Sequence, residues 1–263
     1  MRHSIANRDV SEMDRHADTA ALLADVWANP AELLHELPTV LRPRDEAQAY
    51  LVQRAVSKHL GAIGGWKVGS PAPGGPCNCA PLPAAGIASS PAQLPASRYT
   101  LRGVEAEIAF RLGADLPARE APYGRDDVIA AIAGCHPAIE VLQSRFTTPD
   151  ALDPWTLLAD SLSHGGFVFG ATVPDWQAID FAAEQVVLTI DGTEVKRGTA
   201  NPAGDMIRLV QWLADTGSRW AGGLRAGQFV TCGSWTGKDY APPGGQVRVA
   251  FAHAGGAALE FVA

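Results

Sequence analysis

Glu105 and Glu107 are separated by one alanine in a stretch where Val104, Ala106, Ile108, Phe110 and Leu112 alternate with Glu105, Glu107, Ala109 and Arg111. A period of two is the mark of a β-strand, and residues i and i+2 on a strand project from one face with Cα atoms roughly 7 Å apart. Two carboxylates so placed can reach one ion, and a third from another strand would complete an all-oxygen site for a hard divalent cation. Glu140 is the natural third, because Ala138, Ile139, Val141 and Leu142 make its segment apolar and an unpaired charge there would be costly. A plainer arrangement suits the same residues: Glu105 and Glu107 on the solvated side of a half-buried strand, and Glu140 in a buried ion pair.

Other catalytic signatures are missing. The sequence has no phosphate-binding P-loop, no strand followed by G-x-G-x-x-G, no G-x-S-x-G and no H-E-x-x-H. Cys77 and Cys79 form a lone C-x-C in a proline-rich stretch without a second ligand pair, which reads as two inert thiols rather than a zinc site. The only adjacent Glu-His pair, His35-Glu36, falls in an expected helix.

The elements that must position the carboxylates can be read from periodicity. Apolar residues at helical spacing mark Glu12 to Ala28, and a second helix is expected after Pro43 with Asp45 as its cap. From Ser70 to Ser97 repeated prolines argue against helix and central strand alike, so an irregular loop region is expected. Beyond the Val104 strand come a helix over 125–133, strands over His136 to Leu142 and Gly166 to Gly170, and a hairpin turning at Asp191-Gly192. Met206, Leu209, Val210 and Leu213 predict a helix over 203–216 stopped by Gly217, and QFVTCG, QVRVAFA and AALEFVA predict three strands. Helices first and strands later give an α+β fold with a mixed or antiparallel sheet.

At 263 residues the chain is near the upper size for one hydrophobic core, so a single domain over 1–263 is expected, helical over 1–60 and β-rich over 61–263. The net charge of −7 offers no field for a phosphate backbone, which sets nucleic acid aside as a partner. Four dispersed cysteines, no leader-like N-terminus and no run of eighteen apolar residues point to a cytoplasmic protein without a membrane span. Apolar strands such as VRVAFA are expected to leave exposed apolar surface and so to favour a homo-oligomer.

Four segments stand in a telling order: Gly65-Trp66-Lys67-Val68-Gly69, Val104 to Phe110 around the two glutamates, Pro137 to Arg145 around Glu140, and Ala159-Asp160-Ser161-Leu162-Ser163. Together with Trp212-Leu213-Ala214, Leu224 to Gly227 and Gly233-Ser234, this succession resembles the 2-keto-4-pentenoate hydratase and 2-oxo-3-hexenedioate decarboxylase family of the fumarylacetoacetate hydrolase superfamily. The resemblance implies a strongly curved β-sheet roll and a Mg²⁺ or Mn²⁺ ion held by Glu105, Glu107 and Glu140. It assigns Lys67, Asp160 and Ser163 to catalysis and sets Gly69, Arg145, Gly233 and Ser234 against the substrate. Lys67 would carry a proton or anchor a carboxylate, and burial between Trp66 and Val68 is expected to lower its pKa.

The implied substrate is a small 2-oxo acid or 2-hydroxydienoate, whose carboxylate and keto oxygens chelate the ion while the enolate needed for hydration or decarboxylation forms. Hydration in aromatic-compound catabolism is the leading expectation, with an apolar tail against Trp66, Trp235 and Phe167. The alternatives are decarboxylation of 2-oxo-3-hexenedioate, and a non-catalytic subunit of the same fold that binds a 2-oxo acid in complex with a pathway enzyme. Hydratases of the family commonly carry an aspartate where this chain has Ala85, and a His-Pro pair where it has Asp205-Met206.

Overall fold

The computed structural model describes residues 12–263; residues 1–11, the start of the expected helical N-terminal part, lie outside the described residues. Two helices open the chain, α1 (Glu12–Ala28) and α2 (Glu46–Leu60), the second capped by Asp45, whose carboxylate accepts from the Gln48 amide at 2.8 Å. Four strands follow, β1 (Ile63–Gly69), β2 (Asn78–Pro83), β3 (Ile87–Ser89) and β4 (Ala92–Pro95). Next come β5 (Gly103–Leu112), β6 (Leu116–Pro117), α3 (Arg125–Ala131), β7 (Ile132–Leu142), α4 (Pro154–Ala159) and β8 (His164–Phe169). The last third holds β9 (Gln185–Ile190), β10 (Thr193–Thr199), α5 (Met206–Trp212), β11 (Gly223–Leu224) and β12 (Phe229–Thr231). It ends with β13 (Asp239–Tyr240), β14 (Gln246–Phe251) and β15 (Gly256–Val262).

This is an α+β fold with N-terminal helices and mixed sheets. An eight-stranded sheet runs β2-β1-β12-β5-β7-β8-β3, with β13 also paired to β5, and a five-stranded sheet runs β10-β9-β14-β15-β4. In the larger sheet β1 and β12 are parallel, as are β3 and β8, and the other pairs are antiparallel. Its outer strands β2 and β3 are joined by the three-residue turn Ala84–Gly86, which contains Ala85. The main core fills the space between the sheets and α3 and α5, with Ile108, Phe110, Ile139, Leu188, Leu209 and Phe261 buried within it. A second cluster, Ala20, Leu23, Val52, Val56, Phe146 and Leu158, binds α1 and α2 to α4 and to the chain beyond β7.

Several expectations are corrected here. The proline-rich stretch after Ser70 contains β2, β3 and β4, all at sheet edges, where a residue without an N–H leaves no ladder bond unmade on its open side. The carboxylate side of β5 is not a solvated face: Glu107 is buried and Glu105 half-buried. The large apolar residues of VRVAFA point inwards, Val247, Val249 and Phe251 being buried, so its outer face offers only Arg248 and the small side chains of Ala250 and Ala252. The His35-Glu36 pair lies in a bend rather than a helix, with His35 against Thr147 and Glu36 paired with Arg42. The helix expected over 203–216 begins at Met206, because Asp205 caps it by accepting from the Ile207 and Arg208 amides, and it closes in a π-turn over 213–217. Among the described residues no helix is long and apolar enough to cross a membrane.

Candidate active site

Strand pairing brings the three glutamates together. Glu105 and Glu140 are direct partners across the β5–β7 ladder, and Glu107 follows two residues along β5, on the same face. One carboxylate oxygen from each lies within 4.8 Å of the others, and this is the only group of three or more such ligand-type side chains found among the described residues. Cys77 and Cys79 belong to no such group, and both are free thiols.

Lys67 enters the same face from β1, whose register sets it opposite Thr231 of β12, itself opposite Ala109 of β5. Its ammonium donates to Glu140 Oε1 at 2.7 Å and to the Leu162 carbonyl at 3.3 Å. Burial pulls its pKa down, but Glu140, Glu105 and Glu107 outweigh burial and hold it above the usual lysine value. The expected lowering is therefore reversed, since three carboxylates surround the one cation.

The carboxylates differ in the support they receive. Burial pushes Glu140 up, but Lys67 and His164 overcome that and bring it down to about 2. Burial and the neighbouring Glu140 raise Glu105 to about 7, against the pull of Lys67, Lys238 and the Ser234 hydroxyl. Glu107 is raised well above the carboxylate range by burial, Glu140 and Glu105, and it accepts a short bond from the Thr231 hydroxyl. Glu140 Oε2 is buried with no hydrogen-bond partner. Crowded carboxylates with a vacant buried lone pair and oxygen donors only are the donor set that a hard divalent cation satisfies.

His164, which nothing in the spacing singles out, donates from Nδ1 to Glu140 Oε1 at 2.9 Å. Burial keeps its pKa below the usual histidine value even beside Glu140, so the ring is neutral and the carboxylate is the acceptor. The segment that delivers it is strained. Ser161, Leu162 and Ser163 have φ of 52°, 54° and 60°, three successive non-glycine residues in the left-handed region at about 1–2 kcal/mol each. That segment presents the Leu162 carbonyl to Lys67, Ser163 to the cavity beside Glu105, and the His164 ring to Glu140.

Asp160 and Arg145 are placed together, but as partners of each other. The Arg145 guanidinium binds the Asp160 carboxylate and main-chain carbonyl and donates to the His164 carbonyl at 2.7 Å, while Ser144 donates to Asp160 Oδ2 at 2.7 Å. Both side chains are buried, and Arg145 also lies over the Trp27 ring of α1 at 4.8 Å. Their contacts brace the strained turn from behind. Gly233 (φ 83°) packs near Gly69 and Val68, at the C-terminal ends of β12 and β1, and Ser234 follows it toward Glu105.

A cavity of about 300 Å³ opens from Glu105 and Ser163. Its walls are Leu101, Leu142, Leu152, Leu157 and Leu162, and Lys238 and Asp150 stand at it. The aromatic tail wall expected from the sequence is not there: Trp66 packs on Trp220, Trp235 on Phe251, and Phe167 on Phe229.

Comparisons with known proteins agree with this architecture. The profile of the family described as fumarylacetoacetate (FAA) hydrolase C-terminal matches residues 49–260. The chain belongs to that family. It is 32% identical to a 2-keto-4-pentenoate hydratase of Paraburkholderia xenovorans over 137 residues, 50% of this chain and 48% of that protein. It is 27% identical to a 4-oxalocrotonate decarboxylase of Pseudomonas putida over 164 residues, 60% of each. The chain thus spans about half the length of the curated hydratases it matches. Among solved structures, 4-oxalocrotonate decarboxylase from Pseudomonas putida, complexed with magnesium and adipate, shares the fold with a TM-score of 0.82 at 23% identity, over 97% of this chain and 100% of that one.

Proposed function

We propose that this chain is a divalent-cation-dependent hydratase that adds water to a 2-hydroxy-2,4-dienoate of the 2-keto-4-pentenoate type, giving a 4-hydroxy-2-oxo acid. One observation carries the reading: three carboxylates lie within 4.8 Å of one another beside Lys67, and one of them, Glu105, lines a cavity walled by leucines. Glu105, Glu107 and Glu140 would hold Mg²⁺ or Mn²⁺, which would supply Lewis acidity to a chelating 2-oxo acid. Lys67, kept protonated by its neighbours, anchors the substrate carboxylate or delivers a proton. Ser163 offers a hydroxyl at the mouth of the cavity, Gly69, Gly233 and Ser234 give the ligand a close backbone approach, and the leucines exclude water from the tail. Asp160 and Arg145 act through the 161–163 turn, as positioning residues, rather than on substrate. The whole chain is read as one domain, its larger sheet curled strongly because a three-residue turn links the two outer strands.

Decarboxylation of 2-oxo-3-hexenedioate is the second reading, favoured by one feature, the cation of Lys238 at the cavity where a second carboxylate would lie. An ultraviolet assay of purified protein with 2-hydroxypenta-2,4-dienoate and with 2-oxo-3-hexenedioate, each with and without Mg²⁺, separates the two. Metal-dependent loss of the dienoate is expected; preferred turnover of the dianion with release of carbon dioxide would overturn hydration. Lys67→Met should slow the reaction on the order of 10²-fold while retaining metal. Calorimetry with Mn²⁺ provides a check without turnover. Because burial and crowding raise Glu105 and Glu107 above the ordinary carboxylate range, metal uptake should be accompanied by proton release, and each of Glu105→Gln, Glu107→Gln and Glu140→Gln should weaken it strongly. Wild-type affinity in all three variants would place the ion elsewhere.

A further inference from the structure

Besides Glu105, the lining of this cavity carries charge in one place, the Lys238–Asp150 pair. Lys238 lies immediately before β13, whose Asp239 pairs with Val104 of β5, so the register fixes Lys238 next to Glu105. Asp150 lies in the short helical turn Pro149–Ala151, beyond the far end of β7. The Lys238 ammonium donates to Asp150 Oδ1, and the pair joins two loops across the cavity. Lys238 is the only cation among the described residues lining that cavity. With Asp150 already paired to Lys238, a carboxylate at the far end of a substrate would meet no unmatched cation there and would have to compete with Asp150 for its single partner.

We propose that Asp150 is a specificity-determining residue: by occupying Lys238 it limits the site to 2-oxo acids with uncharged tails and disfavours those with a terminal carboxylate. This rests on the reading of the glutamate cluster as a cation site that chelates 2-oxo acids. Neutralising Asp150 without changing its shape leaves Lys238 in place beside β13, its charge no longer matched by a carboxylate partner. The five leucines are unaffected, so the change in preference comes from charge alone.

The test is calorimetric binding of 2-oxohexanoate and 2-oxohexanedioate, which differ only in the terminal carboxylate, to Mg²⁺-loaded wild type, Asp150→Asn, and the Asp150→Asn/Lys238→Met double variant. Wild type should prefer the monoanion. Asp150→Asn should move the affinity ratio toward the dianion on the order of tenfold, a change of about 1.4 kcal/mol, and the double variant should lose that gain. A ratio unmoved by Asp150→Asn, or a gain that survives loss of Lys238, would overturn the inference and leave the proposed hydratase standing. If Mg²⁺ binds but neither acid binds any variant, the 2-oxo acid reading falls and takes this inference with it.

Discussion

Two of the places where the chain turns through left-handed backbone differ in what holds them there. At the β9–β10 hairpin, Asp191 and Gly192 have φ of 50° and 77°, a turn the pair favours by itself, since aspartate tolerates the left-handed region and glycine carries no Cβ penalty there; the Asp191 carboxylate accepting from the Gln246 amide of β14 at 2.8 Å adds to a conformation the two residues already prefer. At 161–163, three residues with side chains adopt the same region with no glycine among them. What holds them is remote in sequence: Arg145 and Ser144 at Asp160, Arg145 at the His164 carbonyl, Trp27 against Arg145 and stacked on His164. The hairpin joins two strands and presents nothing. The other turn aims a carbonyl, a hydroxyl and an imidazole at one cluster of carboxylates. Strain tolerated by a surrounding structure that over-determines it marks the place where the fold is set for a task.

The contrast is broken most forcefully at Arg145. Arg145→Ala leaves the Asp160 carboxylate buried and unpaired and strips the His164 carbonyl of a donor, which should cost about 3–5 kcal/mol of stability in urea unfolding. Arg145→Lys should recover only part of the loss, because an ammonium cannot span the acceptors that the guanidinium fork serves at once. A loss under about 1 kcal/mol for the alanine variant would mean that the turn is held by something other than this brace.

The same contrast explains what could be read in advance. The β5 strand, the Asp45 cap and the Asp-Gly hairpin follow from neighbours a few residues apart, and each is where local pattern puts it. The glutamate cluster was legible because a strand's period fixes which residues share a face, with Glu140 marked by its apolar surroundings. His164 was not legible, because its part depends on a backbone conformation that nothing in Ser161-Leu162-Ser163 favours. The raised pKa of Lys67 was hidden for a related reason: burial could be inferred from Trp66 and Val68, but the number of carboxylates around it depended on strand order. The expected aromatic tail wall is absent because Trp66 and Trp235 stand beside site residues in sequence but pack on Trp220 and Phe251 instead.

At the hairpin the expected effect is smaller and confined to stability. A Cβ added at Gly192 meets no atom within 4 Å, so Gly192→Ala should cost only the left-handed backbone penalty, about 1 kcal/mol, with the rate unchanged. A change in rate comparable to that of a site variant would tie the hairpin to the chemistry and erase the distinction between the two turns.

The smallest change in stability is expected where the strain is greatest, and its sign is the sharpest test. Ser161→Gly removes the Cβ that disfavours φ of 52°, a relief of about 1–2 kcal/mol, while the extra freedom of glycine in the unfolded chain takes back about 0.4–1 kcal/mol. The net should lie between zero and about 1 kcal/mol in favour of the variant. Catalysis should move the other way, because a glycine at the first position of the turn lets Leu162, Ser163 and His164 sample orientations that the serine forbids, and a misplacement of about 1 Å can cost up to 10²-fold in rate. A variant at least as stable as wild type in urea, yet slower by threefold or more, would fit a strained segment kept for aim; a variant that is less stable and equally fast would show that the left-handed run is an ordinary consequence of packing.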